Sequence, residues 1–269
     1  MRRRRPGHGH AGRAAELSRD DQPELAGLEL VAHEVAAEWG VELGEPFALS
    51  RYSFVARAGN DSVLKVTPQE DDEANEEADA LALWNGRGAV RLLRHDRERR
   101  ALLLERAAPG GDLSAAAEEE ATAIAVAVAR QVWTRGQSPF RSIHDHVPRW
   151  LANAAEHPLT PLARELYAAL EKRDDTLIHG DFHHHNVLWS VRGPLAIDPK
   201  PMLGEPEFDV PSFLWNPLPY RMRPDVTERR LAAFATAGLD EERMRHWAVI
   251  RGAYLGADEN EIEVLRALV

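Results

Sequence analysis

One segment organises this chain: Ile178-His179-Gly180-Asp181-Phe182-His183-His184-His185-Asn186-Val187-Leu188, with Ile197-Asp198-Pro199-Lys200 shortly after it. Three short apolar runs border its polar residues: Leu177-Ile178, Val187-Leu188-Trp189 and Leu195-Ala196-Ile197. Each of these runs is typical of a short β-strand. We therefore expect Asp181, Asn186 and Asp198 to lie at strand ends and on a loop, where their polar groups can converge.

The composition indicates a globular protein with an acidic body. The 269 residues are 44% hydrophobic and 29% charged, and they contain no cysteine, which excludes disulfides and thiolate chemistry. The formal net charge is -11 although residues 1–13 are basic, so the remaining chain is more acidic still. Such a charge disfavours nucleic-acid partners and favours a cationic ligand, although solubility alone is the simpler interpretation.

The N-terminus is rich in arginine but is not followed by an apolar segment. No run approaches the roughly 18 apolar residues of a membrane span. We therefore expect neither secretion nor a membrane partner, and we expect a cytoplasmic protein. Residues 1–23 are expected to be a disordered basic terminus, with metal capture by His8 and His10 as a minor alternative.

Residues 24–106 form a predicted β-rich N-lobe. The spacing of Leu28, Val31, Val35 and Trp39 predicts a helix over 24–39. Short strands are then expected at 47–49, 53–58, 62–66, 89–93 and 101–105, with a turn at Gly59-Asn60-Asp61.

Lys65 lies inside the apolar strand Val63-Leu64-Lys65-Val66. A lysine in a strand usually faces solvent, and its functional alternative is a fixed positive charge on nucleotide phosphates. An acidic helix is expected to start near residue 70, and one of its acids could pair with Lys65. We choose Glu77, because Leu81 four residues on would share its buried face, while Glu73 and Glu76 stay open.

Residues 107–269 form a predicted C-lobe that is mainly helical. Helices are expected over 114–135, from Thr160-Pro161, from the capping-box-like Asp225-Val226-Thr227-Glu228, and from Asp240. The segment from Ile178 to Leu188, with Ile197-Asp198-Pro199-Lys200 after it, is the one strand-like region in this half. The sequence therefore predicts an α+β fold with two lobes.

The residue types at the centre of the chain suit phosphoryl transfer. That reaction needs a carboxylate on the attacking hydroxyl and metal ions on the phosphates, with little covalent help from the protein. Mg²⁺ prefers hard oxygen ligands and keeps several waters, so the protein needs to supply only one carboxylate and one carboxamide as ligands. Asp181, Asn186 and Asp198 would supply one base and two metal ligands.

A histidine metal site is the rival interpretation of the same segment. His179, His183, His184 and His185, with Asp181 and Asp198 nearby, could bind zinc or iron. They are expected on a loop and at strand ends, however, and not as a ligand pair on a helix. In the plainest interpretation, one histidine makes backbone hydrogen bonds and the others face solvent.

The segment His179-Gly180-Asp181-Phe182-His183-His184-His185-Asn186 resembles the catalytic loop of aminoglycoside phosphotransferases, antibiotic kinases with a protein-kinase-like fold. More narrowly, the chain resembles the aminoglycoside/hydroxyurea antibiotic resistance kinase family, of the streptomycin 6-phosphotransferase type. The resemblance runs from about residue 47 to 256. The further matching segments are Ala80-Leu81-Ala82-Leu83-Trp84-Asn85-Gly86-Arg87-Gly88-Ala89-Val90-Arg91-Leu92-Leu93, Leu102-Leu103-Leu104-Glu105-Arg106, Leu195-Ala196-Ile197-Asp198-Pro199-Lys200, Gly204-Glu205-Pro206-Glu207-Phe208-Asp209, Asn216-Pro217 and Gly238-Leu239-Asp240-Glu241-Glu242-Arg243.

The resemblance implies a role for each candidate residue. Asp181 would orient the substrate hydroxyl and take its proton, and Asn186 and Asp198 would bind Mg²⁺. Lys65, steadied by Glu77, would contact the α- and β-phosphates of ATP. The remaining nucleotide contacts would come from Ser50 and Ser53 in the loop over the phosphates and from the hinge Glu105-Arg106-Ala107, whose backbone would meet adenine.

The expected reaction is ATP- and Mg²⁺-dependent phosphorylation of a cationic aminoglycoside such as streptomycin. The candidate acids for its charged groups are Glu205, Glu207, Asp209, Asp258 and Glu259, although a buried acceptor role behind the loop is the preferred interpretation for Asp209. Two alternatives stay open: a kinase for an unrelated metabolite, and a nucleotide-binding protein that has lost catalysis. The second is motivated by the loop 49–55, which contains no glycine.

Overall fold

The computed structural model describes residues 23–47, 53–71, 75–136 and 139–269. These residues divide into two compact units. The N-terminal unit contains the described residues up to Asp112 together with Asn186–Pro201, and the C-terminal unit contains Leu113–His185 and Met202–Val269. The sequence-based boundary near residue 107 differs from this division in two segments, 107–112 and 186–201.

The N-terminal unit contains two helices and eight strands among its described residues. They are α1 (Pro23–Trp39), β1 (Leu43–Pro46), β2 (Phe54–Ala58), β3 (Ser62–Val66), α2 (Glu77–Trp84), β4 (Leu92–Asp96), β5 (Ala101–Glu105), β6 (Pro109–Asp112), and then β9 (Val187–Ser190) and β10 (Leu195–Ala196). An antiparallel sheet has the strand order β1-β2-β3-β5-β4, and a second sheet has the order β10-β9-β6.

The core of this unit lies between α1 and the five-stranded sheet. Ala32, Val35 and Ala36 of α1 pack against the apolar face of β2 and β3, to which Leu64 and Val66 belong. Because side chains alternate across a strand, Lys65 points to the opposite face from Leu64 and Val66. The α1 face predicted from periodicity is therefore the one that covers the sheet.

The C-terminal unit is mainly helical. Its elements are α3 (Glu118–Val132), β7 (Thr134–Arg135), α4 (Ile143–Asn153), α5 (Thr160–Ala169), β8 (Thr176–Ile178), β11 (Met202–Gly204), α6 (Val210–Leu214), α7 (Pro224–Thr236), α8 (Glu241–Leu255) and α9 (Glu259–Ala267), with short 3₁₀ turns between them. β7, β8 and β11 form a small antiparallel sheet with β8 in the centre.

Helix α8 is the centre of the C-terminal unit and packs against α4, α5, α6, α7 and α9. Met244, Trp247 and Ile250 on this helix are fully buried. Gly252 permits the close approach of α9, because a Cβ at this position would lie 2.5 Å from Leu265 Cδ1.

Several element boundaries differ from the sequence-based prediction. Helix α2 begins at Glu77 and not near residue 70, since the acidic residues before it offer no apolar face to bury. Strand β4 begins at Leu92, three residues later than expected. The expected helix over 114–135 is shorter and is followed by β7. Of the expected strand at 47–49, Phe47 follows β1, and Ala48 and Leu49 lie outside the described residues.

Helix α7 begins at Pro224 and has no side-chain cap, so the capping box expected at Asp225 is wrong. Asp225 instead pairs with Arg223 and Arg229. The starts of α5 at Thr160 and of α8 after Asp240 are confirmed, and the Asp240 side chain accepts the Arg243 backbone N–H. Within the described residues, no helix combines the length and apolar character that a membrane crossing requires.

Candidate active site

The hairpin of β9 and β10 brings two candidate metal ligands to the same end. Val187 pairs with Ala196 and Leu188 pairs with Leu195. The Ile197 backbone N–H donates to the Asn186 carbonyl at 2.9 Å, which extends the ladder by one step. Asp198 follows directly, in the left-handed conformation with φ of 55°. A non-glycine residue in this region is uncommon, and aspartate is among the residue types that adopt it more readily.

Lys65 on β3 is buried and is paired with two carboxylates. Its Nζ donates to Glu77 Oε2 at 2.6 Å and also to Asp198 Oδ1. The exposed fraction is 6% for Lys65 and 1% for Glu77, whereas half of the Asp198 side chain is exposed. The choice of Glu77 as the partner of Lys65 is therefore confirmed. Glu76 precedes the helix, and Glu73 lies outside the described residues.

Burial and charge act in opposite directions within this cluster. Burial outweighs the opposing effect of Lys65 and raises the pKa of Glu77 to about 7. Burial lowers the pKa of Lys65, but Asp198 and Glu77 together raise it above its usual value. Lys65 is therefore a permanent positive charge at any physiological pH.

The donor set at the hairpin end suits Mg²⁺. Asp198 offers a half-exposed carboxylate and Asn186 a carboxamide, and both are hard oxygen ligands of the kind that Mg²⁺ takes from proteins. The half-exposed carboxylate leaves room for water or phosphate oxygens beside the ion. Asp198 and Asn186 are thus the residues that would hold the metal, and the charge of the ion would neutralise phosphate oxygens.

Asp181 lies in the C-terminal unit, on the loop after β8. About a third of its side chain is exposed, so a dissolved molecule can reach the carboxylate. Gly180, directly before it, has a φ of 82°, a conformation that side chains rarely adopt. The backbone N–H of Asp181 donates to His179 Nδ1 at 3.3 Å. The local backbone therefore favours glycine at position 180 and is supported by the His179 side chain.

Asp209 holds this loop from behind. Its Oδ2 accepts the His179 backbone N–H at 2.9 Å and Trp133 Nε1 at 2.8 Å, and its Oδ1 accepts the Gly180 backbone N–H at 2.7 Å. Burial raises the pKa of Asp209, while His179 and these donors lower it. The buried acceptor role that the sequence analysis preferred is therefore confirmed.

Arg251 on α8 is a second support of the loop that the sequence analysis missed. Its Nη1 donates to the Gly180 carbonyl at 3.3 Å and its Nη2 donates to Ser212 Oγ at 2.7 Å. The guanidinium carbon also lies 4.4 Å from the ring centroid of Phe208, at cation–π distance. Both carbonyl and amide sides of Gly180 are thus fixed by buried side chains.

The histidines of the loop have different environments. His179 is buried and packs edge-on against Phe182, with ring centroids 5.5 Å apart. His183 Nε2 lies 3.5 Å from Asp181 Oδ2, and His185 is exposed. Among the described residues, no group of three or more histidine and carboxylate side chains is placed to hold a metal ion, so the histidine metal site is not formed there. His8 and His10 lie outside the described residues.

In the plainest interpretation only one of the four histidines is withdrawn from solvent, but His184 is buried as well as His179. The His184 ring stacks on Phe213 with centroids 3.9 Å apart. Arg230, which has no exposed surface, reaches His184 Nε2 with Nη2 at 3.4 Å and binds Glu118 through Nε at 2.7 Å and Nη2 at 2.6 Å. Burial raises the pKa of Glu118 and Arg230 lowers it, with a net decrease. This buried ion pair secures the chain between Asp181 and Asn186.

The predicted nucleotide contacts are only partly within the described residues. Ser50 lies outside them, and Ser53 is half-buried directly before β2. The hinge Glu105-Arg106-Ala107 begins at the last residue of β5, and all three residues are half-buried. The Glu105 carboxylate is bound by Arg192 of the β9–β10 turn, through Nε at 2.7 Å and Nη2 at 2.6 Å.

Most of the acids proposed for the substrate have partners inside the protein. Glu205 is buried and accepts from Arg243 and from Trp247 Nε1. Glu207 accepts the Asp240 backbone N–H at 3.1 Å. Asp258 is the N-cap of α9 and forms a capping box with Glu261. Glu259 is exposed in the first turn of α9.

Comparison with known proteins adds independent findings. A family model described as aminoglycoside/hydroxyurea antibiotic resistance kinase matches residues 46–262. Hydroxyurea phosphotransferase from Kitasatospora aureofaciens is 33% identical over 247 residues, which cover 84% of this chain and 72% of that protein. Streptomycin 3''-kinase from Klebsiella pneumoniae is 35% identical over 208 residues, which cover 70% of this chain and 76% of that protein.

Among solved structures, choline kinase LicA from Streptococcus pneumoniae has a TM-score of 0.61 at 11% identity, covering 89% of this chain and 96% of that chain. LicA is also known in complex with AMP. This likeness shows the fold, and it confirms the expected α+β, protein-kinase-like architecture. The family model covers well over half of the sequence, and the two enzymes above share a third of their aligned residues with it. This chain therefore belongs to the aminoglycoside/hydroxyurea antibiotic resistance kinase family.

Proposed function

We propose that this chain transfers the γ-phosphoryl group of ATP, in an Mg²⁺-dependent reaction, to a hydroxyl group of streptomycin or a related aminoglycoside. Family membership makes it a small-molecule kinase, and nucleotide use accompanies that chemistry. The observation that carries the proposal is the buried Lys65, paired with Glu77 and reaching Asp198. Burying a lysine destabilises a protein unless its charge is paired, and two carboxylates pair with this one.

Each residue has a defined part in the proposed reaction. The oxygen of the substrate hydroxyl bonds to the γ-phosphorus, and the Asp181 carboxylate accepts the hydroxyl proton. The bond between the γ-phosphorus and the β–γ bridging oxygen breaks, and ADP leaves with that oxygen. Lys65 provides a fixed positive charge for the α- and β-phosphates, and the ion pair with Glu77 holds the Lys65 ammonium group in place. Asp198 and Asn186 are the protein ligands for Mg²⁺, which supplies charge neutralisation when bound.

The test is a direct assay of product mass. The protein is mixed with ATP, Mg²⁺ and streptomycin, and the drug is expected to gain the mass of one phosphoryl group. Asp181→Asn is the matched variant, because it keeps the size of the side chain and removes its basicity. Phosphorylation of another hydroxyl compound but not of streptomycin would contradict the substrate and leave the kinase assignment standing.

Hydroxyurea is a second candidate acceptor. Glu205, Glu207 and Asp258, which were expected to attract a cationic drug, are instead engaged by internal donors. A small neutral hydroxyl compound needs no such acids, and a hydroxyurea phosphotransferase is among the relatives. The same assay with hydroxyurea, compared through kcat/KM, decides between the two acceptors.

A protein that binds nucleotide without catalysis would behave differently from both candidates. In that case Asp181→Ala and the parent would hydrolyse ATP at equal rates, with or without an acceptor. We expect the parent to be faster by two orders of magnitude or more in the presence of its acceptor, since a general base contributes about 10²–10⁴-fold.

A further inference from the structure

Arg192 joins three parts of the N-terminal unit through one guanidinium group. Nε and Nη2 form a bidentate ion pair with the Glu105 carboxylate at the end of β5, and Nη1 donates to the Gly86 carbonyl at 3.0 Å. Gly86 follows the last turn of α2, the helix whose first residue is Glu77. The three parts are thus the hairpin turn, the hinge strand and the helix that holds the partner of Lys65.

The turn that carries Arg192 is itself tightly bonded. Ser190 Oγ donates to the Gly193 carbonyl at 2.6 Å and accepts the Arg192 backbone N–H at 3.1 Å. The Gly193 backbone N–H also donates to the Ser190 carbonyl at 3.0 Å. These bonds keep the turn rigid, so the position of the guanidinium is coupled to that of the hairpin backbone.

The other end of the same hairpin carries Asn186 and Asp198. β9 and β10 share two residue pairs and the Ile197–Asn186 bond beyond them, so contacts outside this short hairpin also help to place its end. One contact is the bonding of Ala196 with Gly88 and Val90, at 2.7 and 3.0 Å. Further contacts are the pairing of β9 with β6 and the bond between Lys65 and Asp198. The Arg192 pair with Glu105 acts at the opposite end.

The bond between Arg192 and Glu105 is stronger than an ordinary surface pair. A planar guanidinium matches both oxygens of a carboxylate, which fixes orientation as well as distance. The Arg91 backbone N–H, at 3.0 Å from Glu105 Oε2, restricts the carboxylate further. The Arg192 hydrogen bond keeps the pKa of Glu105 below its usual range, so the pair stays charged at neutral pH.

We propose that Arg192, through Glu105, is a positioning residue that sets where Asn186 and Asp198 meet the metal–nucleotide complex. The inference rests on the proposed function, because it needs those two residues to bind Mg²⁺. It adds a role for the side chain of Glu105, beside the adenine contact expected of the hinge backbone. As a positioning residue, Arg192 acts on binding of the metal–nucleotide complex and not on the chemical step.

The test compares Arg192→Met, Glu105→Gln, the double variant and Arg192→Lys with a matched control. Arg97→Met is the control, because Arg97 also bonds both oxygens of one carboxylate, that of Asp79, in the same unit. We expect Arg192→Met to raise the KM for Mg·ATP about threefold to tenfold at nearly constant kcat under saturation. Arg97→Met should leave both constants unchanged, and Arg192→Lys should lie between parent and Arg192→Met.

The double variant provides a coupling test. If Arg192 and Glu105 act as one unit, Arg192→Met combined with Glu105→Gln is no worse than Arg192→Met alone. A merely structural role would instead lower the active fraction and the melting temperature, with KM unchanged. Fully additive effects on KM would overturn the proposal.

Two readouts do not depend on turnover. Calorimetric binding of Mg²⁺ with a non-hydrolysable ATP analogue should weaken by the same factor as KM rises. Without ligand, amide exchange at Ile197 and Ala196 should be faster in Arg192→Met than in Arg97→Met, because both N–H bonds anchor the hairpin end. Equal binding and equal exchange in these two variants would overturn the inference alone, whereas a parent that binds no Mg-nucleotide would overturn the proposed function as well.

Discussion

Replacing Lys65 by methionine tests whether the buried pair behaves as its surroundings require. Methionine keeps most of the volume and the flexible stem of lysine but removes its charge. Glu77 then loses the cation that lowers its pKa, while the burial that raises this pKa is unchanged. We expect loss of phosphoryl transfer by about two orders of magnitude or more, together with a pH-dependent loss of stability.

The direction of the pH effect follows from the raised pKa of Glu77. Its pKa is about 7 in the folded protein and 4.5 when unperturbed, so the folded state holds a proton that the unfolded state has lost between these values. Stability therefore falls as pH rises from about 4.5 to 7, by about 3 kcal/mol at order of magnitude. Without Lys65 the folded pKa moves higher still, so the decline extends above pH 7.

The extra loss in Lys65→Met grows with pH, because Glu77 of the variant keeps its proton to a higher pH than Glu77 of the parent. Above pH 7, each further pH unit costs the variant about 1.4 kcal/mol relative to the parent, until Glu77 of the variant ionises. Lys65→Met should therefore lose more stability near pH 8 than near pH 5, where Glu77 is protonated in both proteins. Asp198 contributes less, because half of its side chain is exposed to water.

Urea unfolding at pH 5, 6, 7 and 8 measures these values. The double variant Lys65→Met with Glu77→Gln is the control, because it has the same loss of partner at Asp198 and no titrating group at position 77. Its unfolding free energy should change little between pH 5 and 8 relative to Lys65→Met. Parallel pH curves for the two variants would refute the assignment of the slope to Glu77.

Three further variants test the supports of the catalytic loop and one candidate substrate acid. Asp209→Asn leaves at least one of three buried N–H donors without an acceptor, so we expect a loss of about 1–3 kcal/mol in urea unfolding and a lower kcat. Glu118→Gln leaves Arg230 buried without its counter-ion, which should cost about 3–5 kcal/mol by the same measurement. Asp258→Ala removes the capping box of α9 and should cost about 1 kcal/mol with no change in the KM for the acceptor; a raised KM would instead favour a substrate role.

The strands and the helix around the candidate active-site residues could be predicted from sequence, because each depends on a pattern of neighbouring residues. Alternating and apolar runs define β2, β3 and β5, and the flanking runs of the central segment define β8, β9 and β10. Lys65 and Glu77 could be paired because helical spacing placed Glu77 on the face that Leu81 buries. Helix starts were harder to predict from sequence. The acids before α2 and the Pro224-Asp225 pair at the start of α7 are each compatible with more than one first residue.

The supporting arginines were not accessible from sequence. Arg230 and its partner Glu118 are 112 residues apart, and Arg192 and Glu105 are 87 apart. No local pattern distinguishes such an arginine from one on a solvated face, because the buried environment is created by elements from distant parts of the chain. The burial of His184 could not be predicted for the same reason, since Phe213 and Arg230, which enclose it, belong to α6 and α7.

These long-range pairs also change the meaning of the net charge. A cationic substrate was expected partly because the chain carries an excess of acids. The formal charge already counts every arginine, but a carboxylate that is bonded to an internal arginine or to backbone N–H groups is not available to bind a substrate, and Glu205, Asp209 and Asp258 are all used in this way. The excess charge therefore accounts for solubility better than for substrate choice. Discrimination between streptomycin and hydroxyurea must then come from the shape and hydrogen bonding of the acceptor side, which is why a kcat/KM comparison of these two acceptors is more informative than the salt dependence of either one.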